Sequence, residues 1–151
     1  MQTNIASEGI ASQSTGYNGN RFPARLAIDN DLGNFTHTAS SDRNASWTLD
    51  YSEPRLFEEF VLHNRDSNNE NIVARLRDIT MSIEDAAGAT LYSSELNQGN
   101  VLSSPETLIV TLPQAILGSR LVIHRAGSGG NSDNNNALSL GEVIVRGCSA
   151  N

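Results

Sequence analysis

Short runs of apolar residues at a period of two, broken repeatedly by clusters of Asn, Ser and Gly, constrain this chain more than any other feature. Helix-period apolar patterns are hard to find. The clearest run is LFEEFVLHN at 56–64; others are SWTLDY at 46–51, DITMSIE at 78–84, TLIVTL at 107–112, RLVIHR at 120–125 and SLGEVIVR at 139–146. Weaker candidates lie at 4–12 and 90–93. The pattern predicts an all-β sandwich of about eight antiparallel strands. At 151 residues it fits a single domain spanning 1–151, with no internal repeat.

The intervening segments, at 14–20, 30–42, 65–71, 86–88, 97–105 and 126–137, are too polar to bury and are expected on the surface. The last, AGSGGNSDNNNA, is longer than most hairpin connections, which marks it as either functional or mobile. Trp47 opens a strand where a sandwich needs a large apolar residue, so it reads as core. His63 reads as a packed or edge strand residue, and His124 likewise, although it abuts the Gly/Asn loop.

Seventeen acidic residues against ten basic ones give a net charge of −7, a field that repels phosphate backbones and anionic headgroups. Neither nucleic acid nor an acidic membrane is an expected partner. Cys148 has no second cysteine to pair with. No run of eighteen apolar residues and no apolar leader is present, and the chain reads as a module of a larger secreted or cell-surface protein, monomeric as an isolated domain.

Catalysis is not expected. There is no G-x-S-x-G, no H-E-x-x-H and no phosphate-binding glycine loop before a helix. Glu58-Glu59 and Glu84-Asp85 fall in or at the end of expected strands, where alternation sends neighbours to opposite faces.

Six segments, in order, carry a resemblance: Asn4-Ile5-Ala6, Ser12-Gln13-Ser14, Ala27-Ile28-Asp29, Trp47-Thr48-Leu49-Asp50, Val61-Leu62-His63-Asn64-Arg65 and Leu140-Gly141-Glu142-Val143-Ile144-Val145. Together they resemble the discoidin or coagulation-factor type C domain, and within it the fucose-binding F-type lectins and related carbohydrate-binding modules. The resemblance covers nearly the whole chain. It implies a jelly-roll sandwich whose first and last strands pair or lie close.

The turn at 26–34 packs Asp, Asn and Gly so that carboxylates and carbonyls can converge, which suits calcium; the plain reading is an Asx-type turn with solvated acids. The resemblance implies a structural calcium held by the carbonyls of Leu26 and Asp31, the carboxylate of Asp29, an oxygen of Asn34 or Thr36, the carbonyl of Gly141 and the carboxylate of Glu142. Asn30 and Asp31 stand where the family has Gly and Asn. Asn is among the few residues other than Gly that accept positive φ.

The resemblance also implies a sugar site in which a histidine and two arginines donate to sugar oxygens. The matching residues are His37, Arg65 and Arg75, with Asp66 orienting one guanidinium. A guanidinium offers five donors in a fixed fork, a rigid array that sugar hydroxyls can match. In the lectins the two arginines lie closer together and flank a vicinal disulfide that packs on the sugar, whereas here nine residues and no cysteine separate them. Tyr17 and Phe22, in the preceding loop, offer ring faces in its place. A loop histidine or strand-edge arginine otherwise reads as a solvated charge. The alternative to a lectin is a spacer or protein-interaction module without a glycan; lipid binding through apolar spikes over a basic patch fits neither the Asn-rich loops nor the charge.

Overall fold

The computed structural model describes residues 3–98, 106–126 and 136–150, apart from the side chains at 70, 71 and 126. Most of the loop expected at 97–105 and of the Gly/Asn segment expected at 126–137 lies outside the described residues. The strands are β1 (Thr3–Asn4), β2 (Ile10–Gln13), β3 (Asn44–Asn64), β4 (Ile79–Glu84), β5 (Thr90–Leu96), β6 (Thr107–Ala126) and β7 (Leu140–Ser149). They pair antiparallel in the order β1-β7-β3-β6-β4-β5, with β2 also on β3.

Every expected run contains a strand, but the divisions differ. The runs at 46–51 and 56–64 are one strand, β3, and those at 107–112 and 120–125 are one strand, β6. Ser52-Glu53-Pro54 separates the first two runs in the sequence, and proline lacks a ladder N–H. Here it is a bend that stays extended, with a register shift between Asp50 and Arg55. On β6 the partner jumps from Ile116 to Thr111 as β3 passes from Phe57 to Glu59, the mark of a bulge. The run at 4–12 divides into β1 and β2 around a 3-10 turn at Ala6–Glu8.

These bends fold the continuous ladder into two layers. The first half of β3 pairs with β2 and with the second half of β6, which also pairs with β4, itself bonded to β5. The second half of β3 pairs with β7 and with the first half of β6, while β1 lies on β7. Strands that switch sheets through bulges in this way make the corners of a sandwich. Between the layers, Trp47, Leu49, Met81 and Ile123 from one and Phe60, Leu62, Val110, Val143 and Val145 from the other form a single buried cluster.

Trp47 is fully buried, as expected, and its indole N–H donates to the carbonyl of Ala24 at 2.9 Å. That bond satisfies the ring's one donor and anchors the 3-10 turn Ala24–Ala27, so the core also fixes the loops above it. The first and last strands pair as expected, Thr3 opposite Gly147 and Asn4 opposite Arg146.

Candidate functional site

The loop at 14–43 crosses one end of the sandwich and is held there by a short run of bonds to the entry of β7. Thr36 N donates to the Leu140 carbonyl at 2.9 Å, and Leu140 N returns a bond to Thr36 Oγ1 at 3.0 Å. Thr38 N donates to the Leu138 carbonyl at 3.1 Å, and Leu138 N to Thr38 Oγ1 at 2.8 Å. Extended alternation then turns the residue between them, His37, away from the two threonines. On its other side His37 N bonds the Phe22 carbonyl and its own carbonyl accepts from Tyr17 N. One histidine thus gathers three loop segments.

His37 is buried, and both ring nitrogens are engaged. Nδ1 donates to the Thr38 carbonyl, and Nε2 accepts from Nη1 of Arg75 at 3.0 Å. Burial pushes the ring below its ordinary pKa, and the charges of Arg75 and Arg65 add to that, against the opposing pull of the Thr38 carbonyl.

Arg75 reaches this point because the helical turn Glu70–Val73 reverses the chain after β3. The turn is clamped by Asn64 Nδ2, which donates to the Val73 carbonyl at 2.8 Å. The nine-residue separation of Arg65 from Arg75 is therefore folded out, and both cations act on the same imidazole. Asp66 is exposed and, among the described residues, forms no ion pair with either arginine.

An aromatic group lies alongside. Tyr17 sits 4.2 Å, centroid to centroid, from His37 and 6.3 Å from Phe22, and Phe22 stacks on Phe35 at 4.7 Å. The Arg65 guanidinium carbon lies 3.5 Å from the Phe35 ring centroid, a cation–π seat. Burial lowers the Arg65 pKa, and its Nε is shielded from solvent without a hydrogen-bond partner among the described residues. Phe35 is the member of this group that the sequence did not single out. Its signal was a third aromatic ring in a polar segment, adjacent to Thr36 and two residues from His37.

Gln13 was also missed as a contributor. Its side-chain amide lies within bonding distance of Asn20 Oδ1 and the Phe22 carbonyl, both at 3.1 Å, and of the His37 carbonyl at 3.4 Å. This ties the end of β2 to the backbone beneath the rings.

The acidic turn stands beside this end. Asp31 N donates to Asp29 Oδ1 and Gly33 N to Asp31 Oδ1, the Asx bonds that the sequence suggested, and Asn34 Nδ2 donates to a carboxylate oxygen of each aspartate. Asn30 takes φ of 59°, the left-handed conformation that Gly usually fills. The turn closes over Glu142, which lies opposite His63 in the β7–β3 register. Gly141 lets β7 approach, since a Cβ there would lie 2.6 Å from the Asn64 carbonyl oxygen.

Glu142 is only 3% exposed, and the backbone amides of Val143, Asn30 and Asp31 act on its carboxylate without any described group reaching full hydrogen-bond geometry with either oxygen. Burial and the nearby Asp29 charge raise its pKa to about 7, against the pull of the backbone amides of Val143, Asn30 and Asp31. A buried carboxylate facing a second carboxylate fits a cation between them. Among the described residues no three His, Cys, Asp or Glu side chains cluster, so carbonyl or amide oxygens of Leu26, Asp31, Asn34 and Gly141 would have to complete the set. Thr36 is otherwise occupied, its hydroxyl accepting from Leu140 N and its carbonyl from Ser139 Oγ. His63 is half-buried at a cavity wall, and His124 is half-buried at a distance where its charge acts on Asp42.

No protein-family model and no curated protein sequence matches the chain. Solved structures do. A histidine mutant of the lectin-binding domain of lectinolysin, complexed with Lewis b, superposes with a TM-score of 0.78 at 24% identity, covering 99% of both chains. A fucose-binding module from Streptococcus pneumoniae superposes at 0.75 and 24% identity over 95% of this chain and 96% of its own. A family 32 carbohydrate-binding module from Clostridium perfringens, in complex with galactose, gives 0.73 and 19% identity over 97% of this chain and 99% of its own. The chain therefore has the discoidin-like β-sandwich fold shared by these lectin and carbohydrate-binding modules.

Proposed function

We propose that this chain is a non-catalytic carbohydrate-binding module that holds fucose or a related sugar in the loop site of Tyr17, Phe22, His37, Arg65 and Arg75. The observation that carries this is the Arg75 bond to His37 and the Arg65 seat on Phe35, side by side with the Tyr17 ring against His37 and the Phe22 ring stacked on Phe35. Fixed guanidinium donors next to an aromatic wall suit a ligand with hydroxyls on one side and C–H groups on the other. The aromatic group takes the place of the disulfide contact that the resemblance would otherwise require. The sugars in the solved likenesses, Lewis b, fucose and galactose, agree with this reading.

Both His37 nitrogens are already engaged, so this reading gives the sugar contacts to the guanidinium groups and not to the imidazole. His37 then acts by aiming Arg75, and Phe35 by seating Arg65. A shallow site exchanges sugar–water for sugar–protein hydrogen bonds with modest gain, so a single-site Kd of ~0.1–1 mM, about −4 to −5.5 kcal/mol, is expected. Useful strength then comes from repeated modules or repeated ligands.

A calcium ion is part of the proposal, with Glu142 and Asp29 as its charged ligands and a structural role, pinning the 29–34 turn beside the sugar site. The buried Glu142 carboxylate supports it. We place the module, as an extracellular unit of a larger protein, among the class of the domains it superposes on.

The test is a glycan panel with and without chelator, run beside the triple variant His37→Ala, Arg65→Ala, Arg75→Ala. Binding by the parent that disappears in the folded triple variant supports the site. A well-folded parent that binds no glycan overturns it and leaves a spacer or protein-interaction module.

A further inference from the structure

Arg65 has two sides. One faces the Phe35 ring; the other forms the wall of a separate cavity of about 410 Å³, bounded by Leu32, Asp66, Ser67, Val73 and Glu106. That volume lies within the range of about 300–1,000 Å³ usual for small-molecule sites. Two features of its rim have no role in the fold. Leu32 is 58% exposed at the tip of the acidic turn, and Asp66 projects into solvent without an ion pair among the described residues.

We propose that this cavity is a second subsite, which receives the next, uncharged pyranose of an oligosaccharide whose first sugar lies on Arg65 and Arg75. The inference rests on the sugar reading of the first site and extends it to the ligand class: a neutral oligosaccharide, not a monosaccharide. Leu32 and Val73 offer apolar contact to pyranose C–H groups, while the carboxylates of Asp66 and Glu106 accept from hydroxyls. Arg65 is the shared element, and its fork can donate to both residues across the glycosidic bond. Two carboxylates at the rim of a protein of charge −7 repel a sialylated or uronic sugar, which sets the charge preference.

The experiment is calorimetric titration of the full chain with L-fucose and galactose, then with 2′-fucosyllactose, Lewis b tetrasaccharide and 3′-sialyllactose. The proposal expects a neutral oligosaccharide to bind about tenfold tighter than the better monosaccharide, and 3′-sialyllactose to gain nothing. Filling the cavity by Ser67→Trp, or independently from the opposite rim by Leu32→Trp, then removes the gain while monosaccharide affinity stays at the parent level. Monosaccharide binding with no oligosaccharide gain, or a gain that survives both folded variants, overturns the second subsite and leaves the first standing. A folded parent that binds none of the probes overturns both.

Discussion

Nη1 of Arg75 donates to Nε2 of His37 across 3.0 Å, while Nδ1 of the same ring is committed to the Thr38 carbonyl. The imidazole is thereby held as the Nδ1–H tautomer, and the nitrogen facing the guanidinium must carry a lone pair, not a proton.

Protonation of His37 therefore opposes both folding and binding. The folded state holds the ring below its ordinary pKa of 6.5, so the unfolded chain takes up the proton first as pH falls. The stability contribution is complete above 6.5 and is lost on descending toward the lowered folded value. Sugar affinity is expected to fall as pH descends from 8 past 6.5 toward the lowered folded value, as imidazolium forms beside Arg75 and Arg65. His37→Gln, which cannot titrate, is expected to give a flat profile, and an unchanged slope in that variant would remove His37 as the cause.

Glu142 titrates with the opposite sign. In chelator its pKa is raised from 4.5 to about 7, so the folded state retains the proton and stability declines as pH rises through that window. The full cost above pH 7 is about 3 kcal/mol. Chemical denaturation of the chelated protein is expected to show greater stability at pH 5 than at pH 8, with Glu142→Gln abolishing the difference. Added calcium is expected to reverse the order, because it competes with the proton for the same carboxylate.

Removing Phe35 is expected to weaken sugar binding without unfolding the protein. The ring is half-buried and outside the central cluster, so Phe35→Ala chiefly deprives the Arg65 guanidinium of its seat. Cation–π contacts of this kind contribute about 0.5–2 kcal/mol, so affinity should fall by roughly three- to thirtyfold. Phe35→Tyr keeps the ring face and should stay close to the parent, with circular dichroism confirming the fold of both variants.

Trp47→Ala is expected to cost about 3–5 kcal/mol, the usual price of a large core aromatic. Because the indole also holds the Ala24 carbonyl, the turn bearing Leu26 and Asp29 should loosen with it. Trp47→Phe keeps most of the volume and loses the bond, separating the two effects by thermal denaturation.

Strand positions were legible because a buried face repeats every second residue: Ile79, Met81 and Ile83 are all fully buried. The divisions were not, since Ser52-Glu53-Pro54 looks the same whether the chain turns back or only bends, and tertiary pairing decides which. His37, Arg65, Arg75, Tyr17 and Phe22 are gathered at one end, but nothing in the residue pattern marks His37 as enclosed with both nitrogens committed. That depends on Thr36 and Thr38 being pinned to residues 104 and 100 positions away. The cavity behind Arg65 was invisible for the same reason: its walls come from 32, 63–67, 73 and 106, segments with no common pattern.

β7 begins at Leu140 beside the pinned loop and ends at Ser149, where β1 joins it through Thr3 and Asn4. Ten extended residues span about 33 Å, so Thr3 and Ser149 lie at the pole opposite the His37 loop. Tension applied through Thr3 and Ser149 would load the two-residue β1 ladder first and leave the arginines unstrained. A chain attached at that pole would leave the His37 loop facing away from it.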